Sequence, residues 1–282
     1  MNKWIMTTLA VAIAGVSQAK QLENPDPNTL WMEDGKEIAI SPKYGFKAWY
    51  PERDKKKLEI KPKADGKGFS LYAGDANGRK AGTKVKFSPD YPYLVFRVTD
   101  FEILKKGSLW TLRTELGNMI VGQKPPFQKG IFVFDLYRNL PEKDAAKKAG
   151  AINVWLYNLR LDLEYMKLVK KPDNLVRAEC AGPEIKPGSK VKFTAELSEA
   201  AEGVSISLFT MGAPEVIEVN EESEIPLKPA DRAKKVWTAE IEVKSLGIDK
   251  PLKRSQSFMR MKAAGGGLKE PVWVSLPYAV TP

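Results

Sequence analysis

Asn153, Trp155 and Tyr157 alternate with Ile152, Val154 and Leu156. Successive side chains of an extended strand point to opposite faces, so the aliphatic set faces a core and the other three face away from it. The same parity sends Leu94, Phe96 and Val98 inward and Arg97 and Thr99 outward. It sends Trp110 and Leu112 inward, with Thr111 and Arg113 outward. Where these strands share one sheet, its outer face carries Arg97, Arg113, Asn153, Trp155 and Tyr157. That set suits a sugar. Aromatic faces cover the C–H-rich side of a pyranose. Asn and Arg bond hydroxyls, and Arg grips a carboxylate or sulfate through two parallel hydrogen bonds. The competing reading is a face covered by a loop, a helix or a second domain, with Trp155 and Tyr157 as packing residues. Trp49 and Tyr50 offer a second aromatic platform just before Pro51, set against core burial of one of the two.

Other chemistries are excluded by what is missing. The 282-residue chain has no histidine and one cysteine, Cys180. There is then no Ser-His-Asp or Cys-His catalysis, no His-ligated zinc and no imidazole base. A lone thiol makes no internal disulfide, and without an activating partner Cys180 reads as a small buried hydrophobe. Carboxylate chemistry survives, because a glycosidase needs only two Asp or Glu facing one cleft. No motif singles out such a pair, and the expectation is a protein that is not an enzyme. The segment Asp75–Gly78 resembles part of a calcium loop but lacks the third ligand and the closing Glu, so it reads as a tight turn.

The elements that must position these residues are strands. Alternating runs occupy Tyr44–Tyr50, Gly68–Ala73, Thr83–Phe87, Tyr93–Thr99, Leu109–Arg113, Gly130–Asp135, Ile152–Tyr157 and Leu161–Leu168. The turn between the second and third contains Asn77-Gly78, a hairpin dipeptide. One short helix is expected at 141–149, ended by Gly150. Charged, Pro-containing sequence at Lys170–Asn174 closes this block. Seven short strands then recur between Val191 and Leu276, the pattern of an immunoglobulin-like sandwich without its cysteine pair. The basic run Arg53–Lys63 reads as a solvated edge strand protected by lysines.

The first block has strands enough for a two-sheet jelly roll. Tyr93–Thr99, Gly130–Leu136 and Asn158–Val169 together resemble the galactose-binding-like jelly rolls, a group that includes many non-catalytic carbohydrate-binding modules. Leu161-Asp162-Leu163 matches the hydrophobic-Asp-hydrophobic pattern of their final strand. The resemblance covers roughly residues 29–170. It implies a carbohydrate-binding domain, and it implies Asp162 as the candidate ligand of a structural calcium, a hard ion that prefers oxygen donors. No other cofactor is expected.

At the N-terminus, Lys3, the apolar stretch Trp4–Val16 and the small residues Ser17 and Ala19 read as a secretory signal peptide cleaved before Lys20. The apolar stretch falls short of the ~20 residues that span a bilayer. The formal charge is +10, but the lysines are spread among Asp and Glu. In an exported protein the basic charge points to acidic glycans or an anionic cell surface rather than to nucleic acid. The expected architecture is therefore all-β: a signal peptide at 1–19, a jelly-roll-like β-sandwich at 20–175 and an immunoglobulin-like β-sandwich at 176–282. The expected function is non-catalytic carbohydrate binding by a secreted or periplasmic protein that does not span the membrane. Its partner would be a polysaccharide or glycan, acidic ones included. The alternatives are a structural or adhesive surface protein and a carboxylate-dependent polysaccharide-degrading enzyme.

Overall fold

Alternating sequence becomes strand throughout, and the protein is all-β. The computed structural model describes residues 32–33, 37–44, 46–49, 58–74, 79–114, 120–123, 127–136, 150–181, 184–186, 188–211, 216–218, 224–242, 257–277 and 279–280. The leader at 1–19, residues 51–57 of the basic run, Tyr50, the turn at 75–78 and the helix expected at 141–149 lie outside the described residues. So do the side chains of Trp49, Arg113 and Cys180.

The first twelve strands are β1 (Met32–Glu33), β2 (Glu37–Ala39), β3 (Lys47–Trp49), β4 (Glu59–Pro62), β5 (Phe69–Ala73), β6 (Arg79–Phe87), β7 (Tyr93–Ile103), β8 (Leu109–Thr114), β9 (Ile120–Gln123), β10 (Gly130–Asp135), β11 (Gly150–Tyr157) and β12 (Leu159–Val169). Those that follow are β13 (Leu175–Cys180), β14 (Glu184–Ile185), β15 (Lys190–Leu197), β16 (Gly203–Met211), β17 (Val216–Glu218), β18 (Ile225–Pro226), β19 (Lys228–Pro229), β20 (Val236–Glu242), β21 (Ser257–Ala264), β22 (Val272–Pro277) and β23 (Ala279–Val280). Among the described residues the only helical turn is a 3-10 turn at Pro42–Tyr44.

A central sheet runs β1-β2-β12-β7-β10-β22-β21-β16-β17, with β5 also on β12, β4 on β5 and β18 on β16. A second sheet runs β3-β6-β11-β8-β9, and a third runs β13-β15-β20-β19. The parallel pairing of β10 with β22, Ile131 to Val272 through Phe134 to Ser275, makes one hydrogen-bonded sheet out of strands from both halves of the chain. Gly130, at φ 123°, opens this joint. A Cβ there would collide with the carbonyl oxygen of Pro271, so the two backbones can approach only at a glycine.

The central sheet is buried on both faces where the halves meet. Phe96, Phe132 and Phe134 enter a core shared with Trp110, Leu112, Val154 and Leu156 of the second sheet. The Phe96 ring lies 5.2 to 5.5 Å from those of Phe134, Phe132 and Trp110. Their neighbours Val95 and Val133 point the opposite way, into a core with Phe193, Ala195 and Trp237 of the third sheet and Val272 and Val274 of β22. Each such side chain, fully buried, contributes about 1.5–3 kcal/mol. The apolar run Ile131–Phe134 is thus a strand packed on both sides, the situation that replaces alternation with continuous hydrophobicity.

One expectation is corrected here. β5 and β6 do not form a hairpin: β5 pairs with β4 and β12 in the central sheet, and β6 pairs with β3 and β11 in the second. In a sandwich, strands consecutive in sequence can lie in different sheets, so a turn dipeptide between them does not by itself imply that they pair. β4, by contrast, is an edge strand as expected, with Lys61 exposed along it.

Candidate functional site

The same parity that fills the first core sets out a polar face on the other side of β4, β5, β12 and β7. Phe69, Leu71, Leu159, Leu161 and Leu163 are buried. Ser70 and Tyr72 on β5, and Arg160 and Asp162 on β12, alternate with them. The chain reaches β12 through a corner at Asn158, which takes φ 48°, a left-handed value that Asn tolerates better than most residues. Asn158 is buried, its Nδ2 donates to the Lys106 carbonyl at 3.1 Å, and Ser108 Oγ donates to its carbonyl at 2.7 Å. This corner carries the chain from the second sheet into the central one and fixes where Arg160 falls.

Cross-strand register then writes two rows. One runs Glu59, Tyr72, Arg160, Glu102; the other runs Lys61, Ser70, Asp162, Asp100. A register shift on β12 at Asp162–Leu163 lets Asp100 and Glu102 share the polar face while Phe101 packs against the core. Tyr72 stands out as an aromatic ring left 39% exposed on a sheet surface. It lines an open groove of about 600 Å³ with Glu59, Lys61, Lys63, Ser70 and Arg160. The tight turn at 64–67 lies at one end, and Gly68 brings its backbone so close to β12 that a Cβ would strike the Leu163 carbonyl.

Ion pairs hold the charged side chains of this face in place. Arg160 presents Nη2 to Asp100 at 3.1 Å, Nη1 to Glu102 at 3.2 Å and Nε to Asp162 at 3.5 Å. Lys129 reaches Asp100 at 2.6 Å, and Lys61 reaches Glu59 at 2.6 Å. Lys63 Nζ donates to Thr99 Oγ1 at 3.4 Å and lies 3.9 Å from Asp65. The hydrogen bond from Lys129, more than any other influence, holds the Asp100 carboxyl below the usual carboxylate range. Asp100 is therefore a firm hydrogen-bond acceptor at neutral pH and ill-suited to the role of general acid, which needs a raised value.

The residues singled out from sequence fall in three places. Arg97 lies in the central sheet, apart from the strands that carry Arg113, Asn153, Trp155 and Tyr157 in the second sheet. The five therefore do not share one face. Arg97 bonds Glu164 and Glu270 instead of facing open solvent. On the second sheet, Trp155 sits opposite Thr111 and Asn153 opposite Arg113. Thr111 is 1% exposed and Asn153 7%, so that part of the face is closed. Trp155 is half-buried, and Tyr157 packs against the first core. Asp162 is on the polar face, its Oδ1 turned to Arg160. Among the described residues, no group of three or more Asp, Glu or Cys is gathered to hold a metal, and no helix is long and apolar enough to cross a membrane. Tyr72 and Ser70 are legible as outward residues from the parity of Phe69, Leu71 and Ala73 on the same strand; parity alone does not say which outer face stays open.

No protein-family model and no curated protein sequence matches the chain. Among solved structures, a DUF4785 family protein from Legionella pneumophila aligns at 13% identity and TM-score 0.31, over 83% of this chain and 71% of the other. The glycoside hydrolase domain of Endo-D from Streptococcus pneumoniae R6 aligns at 8% identity and TM-score 0.28, over 86% of this chain and 37% of the other. A β-1,2-glucanase from Parabacteroides distasonis aligns at 11% identity and TM-score 0.26, over 86% of this chain and 36% of the other. The chain spans little more than a third of the length of these last two.

Proposed function

We propose that the chain is an exported, non-catalytic carbohydrate-binding protein, and that its ligand lies along the polar face of β4, β5, β12 and β7. The observation that carries this reading is the exposed Tyr72 ring in an open groove, flanked by Arg160, Ser70 and Lys61. A pyranose has an apolar C–H face and a polar rim. Tyr72 supplies the flat surface for the first, and the fixed donors and acceptors around it serve the second. The ion pairs pre-organise those groups, which lowers the ordering cost of binding. Catalysis by a carboxylate pair would need one acid held protonated near neutral pH, and Asp100 is shifted the other way.

The test is binding of the mature protein to a panel of polysaccharides, by affinity electrophoresis and calorimetry, beside a Tyr72→Ala variant. Binding should fall at least about fivefold in the variant, on the scale of the ~1–3 kcal/mol that a nucleobase gains by stacking on an aromatic side chain. The melting temperature should hardly move, since surface substitutions shift stability by less than about 0.5 kcal/mol. Equal binding by wild type and variant would refute the site. Sequencing of exported material should begin at Lys20, and incubation with bound polysaccharide should release no new reducing ends.

A further inference from the structure

The charges of the polar face say which kind of carbohydrate fits it. Although the chain carries a formal +10, that excess is not concentrated here. The two rows hold four carboxylates, Glu59, Glu102, Asp100 and Asp162, and two cations, Lys61 and Arg160. Lys63 and Lys129 flank them. Each of these cations already faces a carboxylate of the protein. Arg160 is ringed by Asp100, Glu102 and Asp162; Lys61 holds Glu59; Lys129 holds Asp100; Lys63 lies beside Asp65.

We infer that the ligand of this face is a neutral, hydroxyl-rich glycan chain rather than a uronate or sulfated one. The inference rests on the carbohydrate reading above and names the class of sugar. A polyanion would have to pull Arg160 or Lys61 away from partners 2.6 to 3.5 Å distant. It would leave those carboxylates unpaired and bring its own charge up against them, and like charges brought together are costly. A neutral sugar faces no such conflict. Its hydroxyls donate to carboxylate oxygens that still have acceptor capacity, and accept from guanidinium and ammonium hydrogens not spent on the ion pairs. Nothing has to be unpaired for it to bind. Tyr72 adds a contact insensitive to the charge of the ligand.

The experiment measures retention of the mature protein on immobilised neutral glucans, galactans and mannans, and on polygalacturonate and dextran sulfate, at about 0.05 M and about 0.5 M NaCl. Screening lengths shorten from more than 10 Å to a few Å across that range. Wild type should bind at least one neutral chain, with an affinity that changes less than about threefold with salt and depends on Tyr72. An Asp100→Asn, Glu102→Gln variant frees Arg160 of two of its partners. It should gain affinity for the anionic chains at low salt, at least about fivefold, as expected for an unpaired surface cation. A check of its melting temperature shows whether it is folded. Tyr72-dependent binding by wild type that is confined to anionic chains, or that drops more than about tenfold with salt, would overturn the inference and leave the carbohydrate reading standing. Failure to bind any glycan, or binding indifferent to Tyr72, would overturn the carbohydrate reading and this inference with it.

Discussion

Arg97 and Glu270 are separated by most of the chain, yet Arg97 Nε lies 2.7 Å from Glu270 Oε1. The other arm of the guanidinium bonds Glu164 on β12. One arginine thus ties the strands of the first half to the turn that precedes β22. Both carboxylates raise its already high affinity for the proton, with the Glu270 hydrogen bond foremost. All three side chains are about one-quarter to one-third exposed, so solvent screens part of the attraction. Arg97→Ala is expected to lower stability by about 1–2 kcal/mol, read as a shift of the urea midpoint, and to leave glycan binding unchanged. Lost binding at unchanged stability would return Arg97 to a role in ligand recognition.

The two halves share more than this ion pair. Val95, Val133 and Val169 from the first half are buried in a core with residues between 175 and 274, and Tyr93, Ile131 and Tyr165 pack against it. Trp273 from the second half stacks on Phe132 in the first core, with 6.1 Å between ring centroids, and donates its indole hydrogen to the Lys129 carbonyl. A fragment of residues 176–282 expressed alone would expose the β10-facing edge of β22 together with Trp273, which packs in the first core. Open, apolar strand edges drive aggregation. The fragment should show no cooperative thermal transition as a monomer, whereas the whole mature chain should unfold in one. A monomeric fragment that melts cooperatively would establish residues 176–282 as an independent domain.

How far the sequence could be read depended on what each strand meets on its two faces. Inward parity was legible wherever one face is polar: Leu94, Phe96 and Val98, Trp110 and Leu112, and Ile152, Val154 and Leu156 are all buried. Outward parity carries less information, because it does not say whether the outer face meets water. Val95 sits between Leu94 and Phe96 and is only 4% exposed, because the second half covers it. The run of apolar residues at 131–134 was the available sign of such a doubly covered strand. Pairing between strands was not legible at all. Arg97 and Trp155 both point away from the first core, but from different sheets, and so can never share a ligand face. Nothing local marks Tyr72, for the same reason: its value comes from β4 and β12 lying on either side of it, a relation between distant segments.

The last prediction concerns alkaline pH and the joint around Arg97. Tyr165 is half-buried against the second core, and its phenol is pushed up to about 12. Burial is the main cause, since it disfavours the phenolate. The negative charge of Glu270 adds to the shift, and Arg97 works against it. An unfolded chain releases the same proton near pH 10. A group whose folded value is raised contributes stability that is complete below the unfolded value and disappears as pH climbs through the folded one. For Tyr165 that window runs from about pH 10 to about pH 12. Lysines lose their charge in part of the same range, so wild type alone would not isolate the effect. The comparison is therefore with Tyr165→Phe, which keeps the ring and removes the ionisable hydroxyl. Between about pH 8 and about pH 11 the urea midpoint should fall further for wild type than for the variant. Arg97→Ala should move the phenol to a still higher titration point by ultraviolet difference absorbance, because it removes a cation that favours the phenolate. Identical alkaline losses in wild type and Tyr165→Phe would show that the Tyr165 hydroxyl ionises as freely in the folded chain as in the unfolded one.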